Sequence, residues 1–132
     1  LPAVDPELQR LLSREIARLE QTHGDNFPDQ IRTVLRSSLS TGTVSAESVA
    51  GLFSMHPRTL ARRLEGFGTG LRELLEEARH DAAREMLAHT SLDVGQIAES
   101  LGYARTSVFT RAFRRWSGTT PAAWRKMRLS AR

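Results

Sequence analysis

Two clusters of arginine in this chain have the spacing needed to hydrogen-bond a flat polar edge. Arg58 and Arg62 lie one helical turn apart, and 49 residues further on Ser107 and Arg111 repeat that spacing. A guanidinium carries five N–H donors in a planar fork and stays charged, so it makes paired bonds to carboxylate, phosphate, or the O6 and N7 of guanine. Ala61, Arg63 and Glu65 surround the first pair, and Arg105, Thr106, Thr110, Arg114 and Arg115 surround the second. The hydroxyls at 106, 107 and 110 add short groups able to bond bases or phosphates. Catalytic and metal chemistry have far less to work with. The chain contains no Cys, which excludes disulfides, thiolate metal sites and a cysteine nucleophile. Glu77 and His80 have Glu-x-x-His spacing, but a di-iron helical site uses two such motifs and two further Glu residues. With one motif present, the pair is expected on the solvated face of a helix. His23, His56 and His89 show no ligand spacing, and Gly66-Phe67-Gly68 reads as a turn between helices rather than a phosphate loop. No cofactor, metal or enzymatic activity is expected.

The formal net charge of +4 is unevenly distributed. Residues 1–54 hold 5 Arg and 7 acids, giving −2, whereas residues 55–132 hold 14 Arg or Lys and 8 acids, giving +6. After Glu99 there are eight basic residues and no acid. Such a surface attracts a polyanion and steers its approach, with nucleic acid ahead of an anionic membrane as the expected partner. The longest apolar run, Val49 to Phe53, is far short of the roughly 20 residues of a membrane helix, and no leader is visible. A soluble, cytoplasmic protein is expected, and the Leu1 start suggests a fragment or processed product. At 132 residues the chain fits one domain or two very small ones, and a sensor or effector domain is expected to lie outside it.

Both arginine clusters belong to one repeated pattern. Val49-Ala50 matches Ile97-Ala98 at an offset of 48; Leu60, Arg62, Leu64 and Phe67 match Phe109, Arg111, Phe113 and Trp116 at 49; Gly68-Thr69 matches Gly118-Thr119 at 50. Each step in the offset is expected to be one residue inserted in a turn. Each copy reads as a short helix, a tight turn and a basic second helix. At 100° per residue, Leu60, Leu64 and Phe67 share one face of the first such helix, and Phe109, Phe113 and Trp116 do the same in the second. The opposite faces hold Arg58, Ala61, Arg62 and Glu65, and Ser107, Thr110, Arg111 and Arg114. Arg63 and Arg115 flank those faces, with Arg105 and Thr106 at or before the second helix's start. One such helix fits the major groove, about 12 Å wide, so these residues are the candidates for contact with double-stranded DNA.

Apolar residues elsewhere recur at three and four, never two, so an all-α fold is expected. Asp5-Pro6 opens a helix striped by Leu8, Leu11, Leu12, Ile16 and Leu19 and ended by Gly24, which reads as a connector spanning 1–24. Asn26 to Pro28 start a second helix with Ile31, Val34, Leu35 and Leu39, which Thr41-Gly42 breaks, and Ser45 caps the helix that follows. Thr69 is placed to cap a linker helix over about 70–89, with Leu71, Leu74, Leu75, Ala78, Ala82 and Met86 on one side. From Leu71 to Ala88 it spans roughly 27 Å. Thr120-Pro121 open a final helix over about 120–128, with a tail after Met127.

The segments MHPRTLARRL at 55–64 and IAESLGYARTSVFTRAFRRWSGTTPAAWR from Ile97 to Arg125 resemble the DNA-binding domain of AraC/XylS-type bacterial transcription regulators. The resemblance covers roughly 26–128. Gly102-Tyr103, Ser107, Phe109, Arg111, Phe113, Gly118, Pro121 and Trp124 fall on that family's signature positions. In the first repeat, His56 stands where the family has a Ser cap, and Ser54 where the turn often has Gly. The resemblance implies a DNA-binding domain over 25–129 with seven helices in two homeodomain-like helix-turn-helix subdomains, about 45–67 and 93–117, plus the extra N-terminal helix. It implies base-reading positions at Arg58, Ala61 and Arg62, and at Thr106, Ser107, Val108 and Arg111. Promoter DNA and, for the intact regulator, RNA polymerase are the implied partners. The helix after Asp5 would be the remnant of an interdomain connection, expected to pack within the chain. A helical module binding protein without reading DNA is the competing reading, and salt separates the two: phosphate binding weakens with salt by about −0.9 per neutralised phosphate on logarithmic axes.

Overall fold

In the computed structural model, residues 5–23, 26–39 and 44–131 are described, the side chains of 17–23 excepted. Eight helices and no strand occur among them: α1 Pro6–His23, α2 Phe27–Ser38, α3 Ala46–Leu52, α4 Pro57–Gly66, α5 Leu71–His89, α6 Val94–Ser100, α7 Thr106–Ser117 and α8 Pro121–Ser130. The chain divides into two compact units, Leu1–Ala78 and Arg79–Arg132, with the boundary inside α5. Gly24 and Thr41-Gly42, the expected helix breakers, lie outside the described residues.

In the first unit, the Asp5 carboxylate accepts from the Glu7 N–H at 3.0 Å and starts α1. This helix packs on α2 and α3. Ile16 is its buried anchor, whereas Leu11 stays 57% exposed. Helix α2 supplies the largest share of the core through Phe27, Ile31, Val34 and Leu35, with Leu39 at its C-cap, joined by Val49 and Ala50 of α3, Leu60 and Leu64 of α4, and Leu74 and Ala78 of α5. The Phe27 and Phe53 rings meet edge to face at 5.3 Å. Ser45 caps α3 in a reciprocal box with Ser48. Arg32 bonds Glu77 at 2.8 Å and also Asp29, which takes the Glu77 carboxylate into an ion pair.

The second unit repeats the plan. Asp93 and Gln96 form the capping box of α6, and Ile97, Ala98, Leu101, Phe109, Ala112 and Phe113 make the core with Ala83 and Leu87 of α5. A ring series ties it together: Tyr103 to Phe109 at 5.4 Å, Phe109 to Phe113 at 6.0 Å and Phe113 to Trp124 at 6.1 Å. Thr120 caps α8, accepting from the Ala123 N–H at 3.2 Å. Arg125 on α8 donates through Nε to the Leu87 carbonyl at 3.0 Å, with Nη2 near those of Met86 and Thr90. The C-terminal end of α5, where Met86 also accepts from the Thr90 N–H at 3.1 Å, thereby gains a cation beside its carbonyls.

Several expectations need correction. In α5 the buried residues of the second unit are Ala83 and Leu87, while Ala82 and Met86 are only half-buried. The pair 83/87 lies nine residues beyond Leu74 and Ala78, half a turn out of phase, so one stripe cannot describe a helix that serves two units. Helix α5 starts with Leu74 donating to the Gly70 carbonyl, which gives Gly70 the capping position expected of Thr69. Gly70 matches Thr120 at the offset of 50, so the repeat itself carried that signal. His80 is not on a solvated face: it is half-buried, with Phe113 at 5.6 Å and Trp116 at 5.3 Å. Burial pushes its imidazole below the ordinary 6.5, and Arg84 pushes the same way against Asp81. The final helix runs to Ser130, past the tail expected after Met127.

Candidate nucleic-acid interface

Helices α4 and α7 are each aimed by the turn before them, and the two turns are built alike. In the first, Met55 N–H donates to the Ala50 carbonyl at 2.9 Å and Ser54 N–H to that of Gly51 at 3.1 Å. In the second, Tyr103 donates to Ala98 at 3.0 Å and Gly102 to Glu99 at 3.0 Å. These paired bonds close a helix end around one left-handed residue. That residue is Gly102 at φ +88° in the second turn and Ser54 at φ +55° in the first. Ser54 is the only non-glycine with positive φ among the described residues.

The starts of α4 and α7 differ. His56 does the work of the missing Ser cap, its Nδ1 accepting from the Arg58 N–H at 3.1 Å. That bond fixes Nδ1 as the acceptor nitrogen. At the head of α7, Arg105 occupies the capping position without a side-chain bond. The Val108 N–H turns back to the Arg105 carbonyl at 3.2 Å, and the N–H groups of Thr106 and Ser107 keep their capacity for an anion, which helix starts favour.

Buried anchors oppose exposed polar faces on both helices. Leu60 and Leu64 are 1% and 0% exposed, as are Phe109 and Phe113 at 0% each. On the outward side of α4, Arg58, Ala61, Arg62 and Glu65 are all exposed; on α7, Ser107, Arg111 and Arg114 are exposed and Thr110 is half-buried. Arg105, Thr106, Val108 and Arg115 are exposed as well. Arg58, Arg62, Arg105, Arg111 and Arg114 make no ion pair with a described carboxylate. Five cations stand in water without such a pair, Glu65 on the same face of α4 notwithstanding, although Asp29, Glu77 and Asp81 draw other arginines into pairs.

Two residues depart from the repeat. Phe67 was expected to anchor with Leu60 and Leu64, yet it is 51% exposed. Helix α4 ends at Gly66 and Phe67 is its C-cap, whereas α7 runs to Ser117 and keeps Trp116 inside the helix against His80. The offset steps from 49 to 50 within α7 rather than in a turn, so only the first step, at the turn before α7, matches the expectation. Arg63 matches Ala112, which is 5% exposed. A long side chain at that position lies along the packed flank, and the Arg63 guanidinium carbon rests 4.1 Å from the centre of the Phe27 ring. Arg63 thus packs on α2. Thr59 went unnoticed in the sequence; it is exposed on α4 and matches Val108, a signal the offset of 49 already contained. No group of His, Asp or Glu able to hold a metal occurs among the described residues, and none of their helices is long and apolar enough to cross a membrane.

The family model for the helix-turn-helix domain matches residues 49–127. The HTH-type transcriptional regulator VirS of Mycobacterium tuberculosis is 36% identical over 121 residues, which are 92% of this chain and 36% of VirS. This chain therefore spans little more than a third of VirS. The solved transcriptional regulator CdpR of Pseudomonas aeruginosa is 34% identical and superposes with a TM-score of 0.75 over 89% of this chain and 38% of CdpR. The DNA-binding domain of the global transcriptional factor AdpA, solved in complex with a target DNA, shares the fold with a TM-score of 0.71 at 24% identity, over 80% of this chain and 95% of that domain.

Proposed function

Since the chain belongs to the AraC-type helix-turn-helix family of transcription regulators, we propose that it binds double-stranded promoter DNA sequence-specifically, as the DNA-binding region of a longer regulator. One observation carries the reading: two helices in repeated frames present Arg58 and Arg62, and Arg105, Arg111 and Arg114, exposed and paired with no described carboxylate, opposite fully buried anchors. Arg62 and Arg111, at equivalent positions, each take the O6 and N7 edge of a guanine, with Arg58 as a third reader. Thr106, Ser107 and Thr110 bond base edges or phosphate, and Arg105, Arg114 and Arg115 neutralise phosphates. The AdpA domain's capture with its target DNA supports a nucleic-acid partner for this fold. Each recognition helix occupies one major groove, in two grooves about 34 Å apart along the duplex. In the intact protein, RNA polymerase is the proposed protein partner, the cytoplasm the site of action, and no catalysis is involved.

Selection from random duplex DNA tests this reading. The expected result is a conserved site with two short blocks, bound with a steeply negative dependence of log affinity on log salt. A flat salt dependence, or no enriched sequence, would point instead to a protein partner for the same helices.

A further inference from the structure

Val108 is 43% exposed, one of five large apolar side chains left in water among the described residues. It is the third residue of α7, on the outward side, and its neighbours in that turn are Thr106, Ser107 and, three residues on, Arg111. Nothing in the second unit uses it, for Phe109, Ala112 and Phe113 already fill the inward face. A β-branched residue gains nothing as an exposed helix former. In α4 the third residue is Thr59, also exposed and also β-branched. The same register position therefore carries methyl groups in both helices, beside Arg62 in one and Arg111 in the other.

The edges of base pairs in the major groove offer a single apolar group, the C5-methyl of thymine. Valine has no donor or acceptor, so packing against that methyl is the only base contact it can make selectively. Resting on the DNA-binding reading above, we propose that Val108 selects a pyrimidine bearing a C5-methyl, thymine or 5-methylcytosine, in the half-site read by α7. The base taken by Arg111 lies next to it or one step away. Thr59 meets a methyl at the equivalent place in the other half-site, with its hydroxyl left for a polar group.

The test uses the selected site and replaces its thymines one at a time by deoxyuridine, which removes the methyl alone. Burying one such carbon is worth about 0.8 kcal/mol, so one thymine in the α7 block should give about a fourfold loss of affinity. Val108→Ala should bind the thymine and uracil sites alike, and 5-methylcytosine placed there should bind the native protein more tightly than cytosine does. The double comparison isolates the pairwise contact from any general weakening. Equal binding of thymine and uracil at every position, or an undiminished uracil penalty in Val108→Ala, would overturn the assignment while leaving DNA binding intact. Failure to enrich any site would overturn the underlying reading as well.

Discussion

Replacing Ser54 by Gly should stabilise the first unit, and replacing Gly102 by Ser should destabilise the second. The turns share their hydrogen bonds, yet one holds Ser at φ +55° and the other Gly at φ +88°. A left-handed conformation raises an L-residue by about 1–2 kcal/mol. Glycine removes that strain but gives up about 0.5–1 kcal/mol through the greater freedom of its unfolded chain. Ser54→Gly should therefore gain about 0.5–1 kcal/mol, or roughly 3–6 °C in midpoint for a unit of this size. Gly102→Ser should lose about 1–2 kcal/mol, because its φ lies some 30° beyond the left-handed well. The two tryptophans, Trp116 and Trp124, both belong to the second unit, so fluorescence follows that unit alone while circular dichroism follows all helices. Ser54→Gly should raise the midpoint of the dichroism change, and Gly102→Ser should lower the fluorescence midpoint. A Ser54→Gly midpoint that stays put or falls would show that residue 54 does not carry the strain attributed to it.

Arg62→Ala and Arg111→Ala should each weaken binding to the selected site by about 1–3 kcal/mol and relax one base position, read by repeating the selection; equal loss on scrambled DNA would contradict base reading. Arg63→Ala should leave base preference untouched and lower the first unit's stability by about 0.5–1 kcal/mol, the worth of an exposed cation over a ring, seen in urea melts by dichroism. The second unit should lose stability as pH falls: His80 is depressed below 6.5 when folded, so the unfolded chain takes up its proton first. Its contribution is complete above about 6.5 and drains away as pH descends towards the lower, folded value. His80→Phe should flatten that part of the fluorescence-detected profile, and an unchanged slope would assign the proton elsewhere.

Much of the fold was legible because the chain states it twice. An i, i+4 pair of large apolar residues specifies a buried helix face with little help from context, which is why Leu60, Leu64, Phe109 and Phe113 were readable. Caps were equally plain where the side chain does the capping, as at Ser45 and Thr120. At Gly70 no side chain does the capping, and only the match to Thr120 at the offset of 50 marks the position. What stayed hidden depended on who packs against whom. His80 reads as half of a lone Glu-x-x-His pair on a solvated face because the rings of Phe113 and Trp116 that enclose it lie over 30 residues away. The second stripe of α5 was masked in the same way, since a helix shared by two units has no single apolar face.

The two reading helices are one frame with unequal content, and the inequality bears on how the work of binding is shared. Position by position, Arg62 and Arg111 correspond, but Glu65 in α4 stands where α7 has Arg114, and Gly66 where it has Arg115. Arg63, which would raise the charge of α4, is drawn onto Phe27. Two open cations thus remain on α4 beside a carboxylate, while Arg105, Arg111 and Arg114 at α7 have none beside them on that helix. Phosphate neutralisation scales with such charges, so α7 should supply most of the salt-dependent affinity, and α4 should contribute chiefly through Arg58 and Arg62 at base edges. Removing charges from α7 should therefore flatten the salt dependence more than removing the same number from α4. The reverse order, measured on one site over one range of salt, would show that charge alone does not set the division of labour between the helices.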